Sequence, residues 1–319
     1  MMQPRLSRFL GVLLGFLGLA AVAGAQAGTG SWVSVGPDGI GAILSLAMDP
    51  TATSTIYAGT DGAGVYKSTD GAATWVTSTS GLTDFTVFAL AVDPAVSSIV
   101  FAGTSSGLFV SSDGGGRWTP VAGLPRTVFG FVVFDPASPS TVYAVSTDAG
   151  VFKSSDAGTS WTSINAGLAG TNPSTLAIDP SSSSTLYVGT IQSGVYKSSN
   201  GGGSWATINS GLVNLHVISL AISPAAPSTI YAGTTNGGAY KTTNGGSRWD
   251  PINTGLLAFS VSAFSIDPTS PSNVLAATEA GIFGSTTGGA LWLISRVASR
   301  RRPATMTSGR PWSGNSSRT

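Results

Sequence analysis

Apolar and polar positions alternate in short bursts along this chain, and the bursts repeat. Val87-Phe-Ala-Leu-Ala-Val92 is an apolar run closed by Asp93-Pro94, and proline cannot continue a central strand. Ile99-Val-Phe-Ala-Gly-Thr104 follows, then a Ser-Ser-Gly turn, Leu108-Phe-Val-Ser111, a glycine-rich hairpin and Trp118-Thr-Pro-Val121. Each burst is strand-sized and bounded by turn residues, and no segment keeps a 3.6-residue apolar period for ten residues. The pattern predicts four short strands per unit and no helices.

The unit recurs. Tryptophans stand at Trp32, Trp75, Trp118, Trp161, Trp205, Trp249 and Trp292, at intervals of 43, 43, 43, 44, 44 and 43 residues. Asp-Pro or its variant keeps the same beat at Pro50, Pro94, Pro136, Pro180, Pro224 and Pro268. A four-stranded unit with this period is the size of one propeller blade. The expectation is therefore an all-β propeller of four-stranded antiparallel blades. Six blades are complete, and Ser31-Trp-Val-Ser-Val35 is an extra N-terminal outer strand. The ring is thus six-bladed, or an incomplete ring of seven.

Between strands three and four stand Ser68-Thr-Asp70-Gly-Ala-Ala-Thr-Trp75, Ser111-Ser-Asp113-Gly-Gly-Gly-Arg-Trp118 and Ser154-Ser-Asp156-Ala-Gly-Thr-Ser-Trp161. Ser198-Ser-Asn200-Gly-Gly-Gly-Ser-Trp205 and Thr242-Thr-Asn244-Gly-Gly-Ser-Arg-Trp249 follow, while Ser285-Thr-Thr287-Gly-Gly-Ala-Leu-Trp292 has lost the acidic residue. These segments resemble the Asp-box (BNR) motif of sialidase-like, sortilin-like and related exported bacterial propellers. The resemblance implies a structural role for Asp70, Asp113, Asp156, Asn200 and Asn244, on the blade periphery. Their side chains would accept hydrogen bonds from their own turns, and Trp75, Trp118, Trp161, Trp205 and Trp249 would anchor the hairpins by packing.

The ends of the chain differ from the repeat. Arg5 and Arg8 precede an uncharged apolar stretch, Phe9 to Ala23, and two A-x-A sites at Ala23-Gly24-Ala25 and Ala25-Gln26-Ala27. That arrangement predicts a signal peptide over residues 1–27 and a secreted or periplasmic protein, without stable membrane insertion once the signal is removed. The propeller is expected over 28–295. Residues 296–319 hold six of the fifteen basic residues and no apolar alternation. This tail reads as a disordered basic extension, a truncated or frame-shifted end of a longer propeller, or a polyanion-binding arm.

Composition narrows the chemistry. Cysteine is absent, which removes disulfides and thiolate metal sites, and His216 as the single histidine leaves almost no material for His-based metal clusters or Ser-His-Asp triads. A net charge of +1 with 9% charged residues gives no field to steer nucleic acid. No cofactor or metal is expected, and a monomer is.

Where the repeats disagree, specificity has room. The connections from strand four to the next strand one vary most, and on a propeller they share a face with the connections between strands two and three. Asp84, Phe85, Arg126, Asn172, Asn214, His216 and Phe259 are the binding candidates on this ground. The resemblance also raises glycoside hydrolysis, sialidase- or xyloglucanase-like. A sialidase needs an arginine triad, a tyrosine–glutamate pair and an F/Y-R-I-P segment. The chain between signal and tail offers only Arg117, Arg126, Arg248 and Glu279, and no such segment. Recurrent Lys67, Lys153, Lys197 and Lys241 are expected as exposed strand or edge charges. The function expected is a non-catalytic module that binds a protein or glycan, or a scaffold, with the glycosidase as alternative.

Overall fold

A computed structural model describes residues 13–14, 35–37 and 41–294. Of the expected signal segment only Leu13–Leu14 is among them, and of the extra outer strand only Val35. The basic tail lies outside the described residues. The molecule is an all-β propeller of six four-stranded antiparallel blades, without helices among the described residues. Blades 1 to 6 run over 43–77, 87–120, 131–163, 173–207, 217–251 and 261–294. Within each, the strands follow one another in sequence order from the axis outward.

Blade 2 illustrates why these residues pair as they do. Its strands are Val87–Val92, Val100–Thr104, Gly107–Ser111 and Thr119–Pro120. The first ends where Asp93 Oδ1 accepts hydrogen bonds from Ala95 N (2.8 Å) and Val96 N (3.0 Å), turning the chain at the proline. The second strand is buried throughout, so it needs apolar or small residues on both faces. Blade 3 departs slightly, its second strand reaching back to Ser138 so that Ser138 pairs with Asp135.

The core lies between the blades rather than within any one of them. Ala177, Tyr187 and Val195 of blade 4 pack on Leu220, Ile222, Ile230, Tyr240 and Trp249 of blade 5. The equivalent cluster between blades 1 and 2 joins Ala47, Tyr57 and Val65 to Leu90, Val92, Val100, Phe109 and Trp118. Each blade thus shows a trailing face to its successor and a leading face to its predecessor.

One transverse row organises every trailing face. Its members are Ala47–Tyr57–Lys67–Val76 in blade 1, Ala177–Tyr187–Lys197–Ala206 in blade 4 and Ala221–Tyr231–Lys241–Asp250 in blade 5. The lysines are not exposed edge charges. Lys67 Nζ donates to Gly114 O (2.8 Å), Lys197 Nζ to Gly245 O (3.4 Å) and Lys241 Nζ to Gly288 O (2.9 Å), each in the turn of the next blade. Each also lies 5.3 Å from the centre of its own row's tyrosine ring, a cation–π contact. The half-buried stem covers apolar surface while the ammonium meets a carbonyl. Blade 2 solves the same junction with carbon: Phe101 and Val110 take these places, and Phe101 meets Trp161 edge-on at 5.9 Å.

Candidate functional site

Two sets of turns carry the side chains available for function. At one set, between strands three and four, Ser111 Oγ donates to Asp113 Oδ1 (2.7 Å) and Arg117 N donates to the same oxygen (2.8 Å). Gly115 N closes the turn on Ser111 Oγ at 2.8 Å. Asp70 and Asp156 repeat this with Thr74 N (2.9 Å) and Ser160 N (2.8 Å). Hydroxyls of Thr74 and Ser160, then the backbone amides, hold both carboxyls down to about 2. Asp113 is also lowered, first by Ser111. Asn200 and Asn244 accept from Ser204 N (2.9 Å) and Arg248 N (3.0 Å) through Oδ1. In blade 6, Thr287 Oγ1 accepts from Leu291 N (3.1 Å), so a hydroxyl keeps the turn where the acid is missing.

The tryptophans that follow these turns tie neighbouring blades. Indole Nε1 of Trp118, Trp205, Trp249 and Trp292 donates to the carbonyls of Ser78, Ile164, Ile208 and Ile252 at 2.6–2.7 Å. Trp75 does the same to Val35 O at 2.7 Å. Trp161 differs: it bonds to Gly158 O of its own turn (3.0 Å), with Phe101 against its ring.

The second set is the entry loops, which lead from each outer strand to the next inner strand. They are bonded to the turns between strands two and three, so the two kinds of connection share one face. Phe85 O accepts from Gly64 N (2.7 Å) and Phe259 O from Gly238 N (2.7 Å). Asp84 takes the hydroxyl of Ser105, and its Oδ1 accepts from Thr86 N (3.1 Å). Partial burial pushes this carboxyl up, but the bonds from Ser105, Thr86 and Ser106 outweigh it and leave the pKa lowered. Asn214 Nδ2 donates to Thr235 O (2.9 Å), and its Oδ1 accepts from His216 N (2.9 Å). His216 is half-buried, and desolvation lowers its pKa. Asn172 has a left-handed backbone (φ 52°), and its carbonyl accepts from Ile191 N (2.9 Å). Arg126 is exposed at the mouth of a small cleft of about 50 Å³ lined by Ser106, Phe109, Pro120 and Leu124.

Asp84 and Asn214 are therefore spent on fixing their own loops, and of the candidates Arg126 alone lines that cleft. Phe85 and Phe259 stand out from the surface instead, at 45% and 50% exposure. Three residues outside the expected set accompany them: Val213 (87%), Leu257 (71%) and Leu215 (37%). Val213 and Leu215 lie four and two residues before Val217, and Leu257 and Phe259 stand likewise before Val261. Four and two residues before Phe129 and Pro173, which stand seven before Pro136 and Pro180 as Val217 stands seven before Pro224, the loops into blades 3 and 4 carry Pro125, Thr127, Ala169 and Thr171. Reading the loops by position would have marked the difference. Among the described residues no three acidic or histidine side chains gather as a metal site, and no helix is long and apolar enough to cross a membrane.

No family model matches this sequence, and no curated protein does. Solved propellers do. An ancestral GH74 enzyme superposes with a TM-score of 0.68 at 26% identity over 81% of this chain. The GH74 xyloglucanase from Xanthomonas campestris gives 0.67 at 21% identity over 78%. The chain spans only 38% and 45% of the length of those two enzymes. YCF48 bound to D1 peptide gives 0.61 at 16% identity, covering 79% of this chain and 80% of that one. These likenesses include glycosidases and a peptide-bound propeller on one fold.

Proposed function

We propose that this chain is an exported, non-catalytic propeller of the Asp-box kind that binds a protein partner through its entry-loop face. The observation that carries the reading is the apolar set Phe85, Val213, Leu215, Leu257 and Phe259, exposed on loops otherwise bonded down. Exposed apolar groups on one face favour protein contact. YCF48, a propeller of the same fold, is bound to a peptide. Asp84 argues against a general acid, because such a group needs a raised pKa and this one is lowered. Asp148 Oδ2, across the next loop, accepts from Thr127 Oγ1 at 3.2 Å.

A photo-crosslinking side chain at position 259, with another at position 162 on an outer strand as control, tests the reading in the exporting cell. A discrete adduct is expected from 259 alone, and Val213→Ser with Leu257→Ser should remove it. Equal adducts from both positions, or none, would overturn it. Glycoside hydrolysis is the second reading, favoured by the 26% identity to an ancestral GH74 enzyme. Turnover of xyloglucan or aryl sialosides that is lost in Asp84→Asn or Asp148→Asn would establish it instead.

A further inference from the structure

Carboxylates and apolar side chains share one arc of the entry-loop face. The exposed apolar positions lie on the loops into blade 5 (Val213, Leu215), blade 6 (Leu257, Phe259) and blade 2 (Phe85). Three acids accompany them. Asp61 follows the second strand of blade 1, where its amide donates to Ala42 O (3.0 Å) and its backbone bridges to Thr86. The next residue, Gly62, donates to Phe85 O at 3.1 Å, so Asp61 stands beside Phe85. Asp84 directly precedes Phe85 in the chain. Glu279 follows the second strand of blade 6 as Thr235 follows that of blade 5. Thr235 is bonded to its entry loop twice, its carbonyl accepting from Asn214 Nδ2 (2.9 Å) and its amide donating to His216 O (3.0 Å). By the same repeat, Glu279 stands beside the loop that carries Leu257 and Phe259.

No cation of this chain answers those carboxylates among the described residues. Asp61 and Glu279 are exposed, and the one ion pair there, Arg248 with Asp250, lies at the outer strand of blade 5. Lys67, Lys153, Lys197 and Lys241 reach instead to Gly114, Gly201, Gly245 and Gly288, in the turns between strands three and four. Arg117 and Arg248 belong to those same turns. Arg126 is left as the cation of the entry-loop face, and it stands outside the arc. Its loop leads into blade 3, where Thr127 Oγ1 donates to Asp148 Oδ2 (3.2 Å).

Charge decides which apolar partner fits. An anionic segment, a nucleic acid or an anionic membrane would meet like charge on this arc. A neutral segment would cover the apolar groups but desolvate the carboxylates beside them without a counter-charge, a cost that a cation removes. Lysine and arginine stems also cover apolar surface while their heads reach a carboxylate, so one segment can satisfy both sets.

We propose that the partner of the entry-loop face presents a cationic amphipathic segment. Its apolar side chains cover Val213, Leu257 and Phe259, and its lysines or arginines meet Asp61, Asp84 and Glu279. This inference rests on the protein-binding reading above and adds the partner's charge to it.

The test titrates three fluorescein-labelled peptides of equal length into the exported protein, alternating leucine with lysine, with serine or with glutamate. Saturable binding of the leucine–lysine peptide is expected, about tenfold tighter than either of the others and weaker as salt rises. Asp61→Asn with Glu279→Gln should weaken it about tenfold at unchanged melting temperature. Asp156→Asn with Asp250→Asn removes the same charge away from this face and should leave it unchanged. Equal affinity for the lysine and serine peptides, or equal losses in the two double variants, would overturn the proposal and leave the protein-binding reading standing. No saturable binding of any peptide would overturn it as well, and the crosslink from position 259 then decides whether that reading falls with it.

Discussion

The phenol of Tyr231 and that of Tyr143 hold the same place in their rows but have different surroundings. Tyr231 Oη donates to Gly288 O of the next blade at 3.2 Å. Tyr143 Oη is buried with no hydrogen-bond partner among the described residues, and so is Asp135 Oδ2. Burial pushes both phenols up to about 12, with the Asp135 charge adding to the shift at Tyr143. A buried hydrogen bond contributes about 1 kcal/mol net, whereas removing an unpaired buried hydroxyl relieves its desolvation cost. Tyr231→Phe should therefore destabilise by about 1 kcal/mol, while Tyr143→Phe should be neutral or stabilising. Chemical denaturation of the two single variants checks the pair. Equal losses would mean that the phenol at Tyr143 has a partner after all.

At the scale of the element, the turn between strands three and four is built with three different acceptors. Blades 1 to 3 use Asp70, Asp113 and Asp156, blades 4 and 5 use Asn200 and Asn244, and blade 6 uses Thr287. Only the carboxylates titrate. Asp70 and Asp156 are lowered from 3.8 to about 2 in the folded protein. A folded pKa below the unfolded one means that the contribution is complete above about 4 and is lost as pH falls towards 2. The wild-type melting temperature should thus drop across that window, and the Asp70→Asn, Asp113→Asn, Asp156→Asn triple variant should drop less. Identical acid profiles would show that these turns do not govern acid stability.

Much of this element was legible in the sequence. Strands expected at 87–92 and 108–111 lie at Val87–Val92 and Gly107–Ser111, since apolar runs and prolines mark their ends. The Thr287 turn was less visible, because any side-chain oxygen at that position serves the geometry. The lysine clasps were hidden for another reason. A single-blade pattern shows Lys197 as a polar residue on a strand, and its carbonyl partner, Gly245, is 48 residues away. The entry-loop candidates were found by variation, which does not distinguish Asp84, tied into its own loop, from Phe259, left exposed.

The whole ring behaves as a chain of junctions, because each blade packs only on its neighbours and stability in such arrays sums nearest-neighbour terms. The lysine–tyrosine clasp joins blade 1 to 2, 4 to 5 and 5 to 6, and a phenylalanine–tryptophan contact joins blade 2 to 3. The same clasp joins blade 3 to 4, with Lys153 Nζ 3.3 Å from Gly201 O and 5.6 Å from the centre of the Tyr143 ring. Blade 6 has neither the tyrosine nor the lysine, and its Leu275 is exposed. Opening should therefore begin at the seam between blades 6 and 1 and propagate inward from both sides. Native-state hydrogen exchange should show the lowest opening free energies for amides of Val274–Thr278 and Ile56–Thr60 among the second strands, and the highest for Leu186–Thr190. Their burial differs in the same order: the second strand is buried throughout in blade 4, starts half-buried at Ile56, and is exposed at Leu275. Uniform protection around the ring would mean that the junctions are equivalent.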